Sequence, residues 1–162
     1  MSITKIKNLS MNSHFYALLI QGFLSGYEKP CEIKLSLMAL PILLYAESRE
    51  KLKSANKKSR IDTLFQSAQF IENAKISGKT RLSGYIGRYN LLKPYCKEAL
   101  IILYSENKIV LNKNKLMLIQ KIDYKNFEGI VREWLKCAFY LGIIFSKTTD
   151  DHISYFLGVD LK

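Results

Sequence analysis

Apolar residues recur at helical spacing along most of the chain. Residues 15–23 form the first periodic segment; Asn12 or Ser13 precedes it as a cap, and Gly26 follows as a stop. Residues 35–45 are nearly continuously apolar without β-branched enrichment, which reads as a buried helix that Pro41 kinks or opens. Residues 48–51 read as a short capped helix, and residues 61–74 carry a stripe at Ile61, Leu64, Phe65, Ala68 and Ile71. Gly78, Gly84 and Gly87 make residues 76–90 the least regular part. Pro94 opens the next helix at its first position, with Cys96, Ala99, Leu100 and Leu103 on one face and a stop near Asn107.

The pattern then changes period. Residues 108–112 and 115–119 are short apolar runs joined across Asn112-Lys113-Asn114, a β-hairpin signal. From Asp123 the spacing of Phe127, Ile130, Val131, Trp134, Ala138, Leu141 and Phe145 predicts the longest helix. A last short helix runs from about Thr149, carries Ile153, Phe156 and Leu157, and stops at Gly158. The expected fold is mainly α with a small β-hairpin: a winged-helix-like single domain over residues 1–162. Its residues 93–122 form a helix plus a wing-like hairpin, and residues 1–11 a flexible N-terminus.

Composition narrows this in three ways. Hydrophobic residues make up 48% of the 162, too many for a disordered chain. No stretch reaches the roughly 18 uncharged apolar residues needed to span a bilayer, and no signal-peptide cleavage site follows the first apolar run, so a cytoplasmic protein with no membrane partner is expected. Three widely spaced cysteines, Cys31, Cys96 and Cys137, do not make a disulfide framework.

Charge adds a partner. The whole net charge of +11 falls within residues 51–121, and the remainder sums to zero. Such asymmetry is the footprint of a polyanion, or of an acidic protein surface. Lys79, Arg81 and Arg88 flank the helix from Pro94, and Lys113 and Lys115 lie at the hairpin turn. These five are the candidate DNA contacts.

Catalytic chemistry finds no constellation. Ser77-Gly78-Lys79-Thr80 resembles the tail of a phosphate-binding loop, but Asn73 stands where the first glycine belongs, and a surface turn is the better reading. His14 and His152 lie at no metal-ligand spacing, and the cysteines sit among apolar neighbours as structural residues do. Asp150-Asp151 suits a helix dipole better than a carboxylate pair. The sequence therefore predicts no catalytic residue, no cofactor and no metal.

Several landmarks in order resemble the middle component of three-component ABC-ATPase systems. They are Asn12, Gly26-Tyr27, the run Leu40-Pro41-Ile42-Leu43-Leu44 followed by Ser48-Arg49, then Leu92-Lys93-Pro94-Tyr95 with Lys97-Glu98-Ala99-Leu100. Ala138, Leu141-Gly142 and the end from Ile153 to Leu157-Gly158-Val159 complete the set. The chain departs from the family's usual Asn-Pro with Asn12-Ser13. The resemblance implies a non-catalytic adaptor seated on an SMC/Rad50-like ATPase and coupled to an effector nuclease, with anti-phage defence of the Lamassu type as the setting. DNA bound largely without regard to sequence would be the further partner. The competing class is a free-standing winged-helix transcriptional regulator, which would dimerise and bind one sequence tightly.

Overall fold

The computed structural model describes residues 12–65 and 84–159. Helix α1 (Ser13–Tyr27) starts as the sequence indicates: the Asn12 side chain accepts the His14 amide at 2.8 Å. It runs past Gly26 and ends on Glu28, which takes a left-handed φ of 61°. A two-residue strand, β1 (Cys31–Glu32), leads straight into α2 (Ile33–Leu43), with Pro41 inside the helix. Short helices α3 (Ala46–Leu52) and α4 (Ile61–Leu64) follow. The remainder of the apolar stripe expected over residues 61–74 lies outside the described residues, as do residues 1–11.

After the undescribed stretch comes α5 (Tyr85–Ser105), then strands β2 (Ile109–Asn112) and β3 (Lys115–Leu118). A 3₁₀ turn (Tyr124–Asn126) precedes α6 (Gly129–Ser146), and α7 (Asp150–Leu157) closes the described chain. The ends of α7 match expectation: Thr149 caps it by accepting the His152 amide, and Gly158 terminates it at φ 73°.

Three features differ from the sequence reading. Helix α5 begins nine residues before Pro94, which sits in its interior. Proline there removes the amide that would have bonded the Asn90 carbonyl; Asn90 and Pro94 both lie on the exposed side, where solvent reaches. The helix expected from Asp123 starts at Gly129, because Asp123 caps the 3₁₀ turn instead, accepting the Lys125 amide at 2.9 Å. At 21 residues α5 is therefore longer than α6, at 18. The hairpin also gains a third strand: β1 pairs antiparallel with β3, giving the order β1-β3-β2.

Helix α1 is the hub, packed against α6 and α5 and buried over nearly its whole length. It approaches α6 so closely that a Cβ on Gly26 would collide with the Phe139 carbonyl, and one on Gly142 with the Phe23 carbonyl. The buried polar side chains on α1 hold the segment after the hairpin. Gln21 donates to the Gln120 carbonyl at 3.0 Å, and the Ser25 hydroxyl accepts the Ile122 amide at 3.1 Å.

Candidate nucleic-acid interface

The hairpin turn consists of Lys113 and Asn114, between the paired residues Asn112 and Lys115. Lys113 takes a left-handed φ of 58°, as a two-residue hairpin turn requires of at least one residue. Its position is fixed from behind, since the Asn114 carbonyl accepts the Ile33 amide at 3.0 Å where α2 begins. The register Glu32↔Lys115 sets Lys115 on the central strand. Both lysines are exposed, and among the described residues neither is held in an ion pair, whereas Lys53, Lys108 and Lys121 pair with Glu50, Glu106 and Glu28. The hairpin turn thus presents two accessible cations.

Arg88 occupies a different setting. Its guanidinium lies 3.8 Å from the centroid of the Tyr45 ring and donates to the Pro41 carbonyl at 3.4 Å. Burial lowers its pKa, opposed by Tyr45, Tyr85 and Glu47. Nearby, the Tyr85 hydroxyl donates to the Met38 carbonyl at 2.7 Å, so both side chains fasten the start of α5 to α2. The hairpin turn bonds Ile33 at the start of α2 and Arg88 bonds Pro41 near its end, eight residues or roughly 12 Å apart along that helix at a rise of about 1.5 Å per residue. The structure does not bring them together. Lys79, Arg81 and the short Ser77-Gly78-Lys79-Thr80 run lie outside the described residues.

Two cations that the sequence reading left unassigned lie on the same helix as Arg88, nearer its C-terminal end. Lys93 and Lys97 precede Ile101 and Tyr104 on one face of α5, at helical spacings of four, four and three. That spacing was readable, but with Pro94 as the presumed helix start Lys93 fell outside the helix.

Burial suppresses the nucleophilicity of the three cysteines. Desolvation pushes the Cys96 thiol up to about 12 and Cys137 to about 11, and raises Cys31 well beyond the usual thiol range. His152 lies 3.0 Å from Asp62 in an exposed pair. Among the described residues no three His, Cys, Asp or Glu side chains gather closely enough to hold a metal ion, and no helix is long and apolar enough to cross a membrane.

Residues 1–161 match the family described as ABC-three component (ABC-3C) system Middle Component 3. The chain belongs to that family. No curated protein and no solved structure is significantly similar to it. As a middle component it has ATPase-type components of the same system as its partners.

Several residues that carry the resemblance have structural roles. Gly26 and Gly142 permit the α1–α6 approach. Ser48 and Arg49 close the end of α2: the buried Ser48 hydroxyl lies 2.5 Å from the Ile42 carbonyl, and Arg49 donates to the Leu43 carbonyl at 2.9 Å. Arg49 also lies 3.9 Å from the Trp134 ring centroid, joining α3 to α6.

Proposed function

We propose that the chain is the non-catalytic adaptor of an SMC/Rad50-like ABC-ATPase complex, coupling the ATPase and its DNA to an effector nuclease in anti-phage defence of the Lamassu type. The family match over residues 1–161 supports the base of this reading, an accessory subunit of an ABC-ATPase system. The geometry supports its two parts. Helix, strand, helices and hairpin in the order β1-β3-β2 fit a winged-helix module, with α5 beside the wing. Lys113 and Lys115 at the wing tip meet phosphates, which position a duplex without reading its bases. The adaptor leaves chemistry to its partners: its three cysteines are buried and held as thiols.

Co-expression with the ATPase-type and effector components, followed by size exclusion, tests the assignment. The chain should co-elute with the ATPase, while ATP hydrolysis and DNA cleavage follow the other subunits and are absent from the purified chain. A chain that stays monomeric beside its ATPase, or that hydrolyses ATP alone, would overturn it.

A further inference from the structure

Between the C-terminal half of α5 and the sheet lies an open groove of about 250 Å³. Ile101 and Tyr104 form one wall, Leu111 and Leu116 the other, and Ile33 the floor near β1. Three of these are strongly exposed apolar residues: Ile101 at 68%, Tyr104 at 60% and Leu111 at 52%. Apolar side chains gathered in one concave place mark a binding surface, whereas scattered ones do not. The volume admits a few side chains from a single segment.

Charge selects the occupant. Lys97 is exposed one helical turn before Ile101, and Lys93, half-buried with its ammonium 5.9 Å from the Tyr89 ring centroid, lies one turn before that. The nearby Glu106 is paired with Lys108 at 2.7 Å, and exposed Glu98 follows Lys97 but lies about 100° further round α5. A second copy of this chain would bring the same lysines towards each other across a two-fold axis. An acidic amphipathic helix would meet them with opposite charge.

We infer that this groove receives an amphipathic helix of the ATPase-type component. Its apolar residues at i, i+3 and i+7 seat on Ile101, Tyr104 and Leu111, and its flanking acids face Lys93 and Lys97. The inference rests on the adaptor reading and adds the docking surface to it.

The probe is a set of overlapping fluorescent 20-residue peptides covering the ATPase-type component, read by anisotropy against the full chain, alongside co-elution of the intact complex. An acid-rich amphipathic peptide should bind. Joint Ile101→Glu and Leu111→Glu substitution, at two exposed positions, should weaken it by about thirtyfold or more, the scale of a binding hot spot. Lys97→Glu, at an exposed position, should weaken it less and remove part of its salt dependence. Equal binding and equal co-elution for parent and variants overturn the inference alone. A parent dimer that the groove substitutions dissolve also overturns it, since a second copy is then the occupant. A parent chain that never co-elutes with the ATPase overturns the adaptor reading together with it.

Discussion

Gly142 of α6 lies directly against the main-chain carbonyl of Phe23 in α1, with no space for a side chain between the two helices. The contact is backbone on backbone, so a flexible side chain cannot yield to relieve it. Gly142→Ala should therefore push α1 and α6 apart and cost roughly 1–3 kcal/mol, as overpacking does. Gly87, exposed on α5 with nothing within 4 Å of an added Cβ, is the matched control. Gly87→Ala should stabilise by about 0.5–1 kcal/mol through lost unfolded-state entropy. Urea midpoints measure both; equal effects of the two substitutions would remove the close-approach argument.

A second expectation concerns Arg49 and Trp134. The guanidinium over the ring contributes about 1 kcal/mol, and its bond to the Leu43 carbonyl roughly 1.5–3 kcal/mol. Trp134→Ala should cost about 3–5 kcal/mol, because the ring is buried and packs 5.3 Å from Phe15, centroid to centroid. Arg49→Lys keeps the charge and loses the planar stack, so it should still destabilise. A double-mutant cycle between the two positions should give a coupling of about 1 kcal/mol. Zero coupling would mean the stack contributes nothing.

The buried thiols give stability a pH dependence of known sign. Cys96 and Cys137 have folded pKa values of about 12 and about 11, raised by burial above the ordinary value of 9.0. Between the two sets of values the unfolded chain has lost protons that the folded chain keeps. Their contribution is thus complete below pH 9 and declines as pH rises towards 11 and 12. Denaturation midpoints should fall from pH 8 to pH 10.5, and Cys137→Ala should lessen the fall. Thiol reagents at pH 8 should label the native chain slowly and the unfolded chain at once.

Much of this fold is legible in the sequence, and the exceptions have physical causes. Asn12, Thr149 and Gly158 mark helix ends by local chemistry alone, and the hairpin announces itself through Asn112-Lys113-Asn114. β1 is two residues long, too short to show alternation, and exists because β3 pairs with it. Pro94 misplaced the start of α5 because proline is tolerated inside a helix when its orphaned carbonyl faces water, which depends on the tertiary fold. Arg88 and Lys113 look alike as entries in a charge count. Only the packing of Tyr45 against α5 separates a guanidinium that fastens two helices from an ammonium at a hairpin turn.

In the proposed function this middle component holds DNA within an ATPase complex without reading its sequence. Fluorescence anisotropy of the assembled complex on two unrelated duplexes across a salt series tests it most directly. Both duplexes should bind alike, with the logarithm of affinity falling by about 0.9 per neutralised phosphate for each unit of log salt. Joint Lys113→Glu and Lys115→Glu substitution should weaken both equally and flatten that slope by up to about two phosphates, leaving the complex assembled. Preference for one duplex by about a thousandfold would make the chain a sequence-specific regulator. An unchanged slope in the substituted complex would contradict the DNA role of the wing.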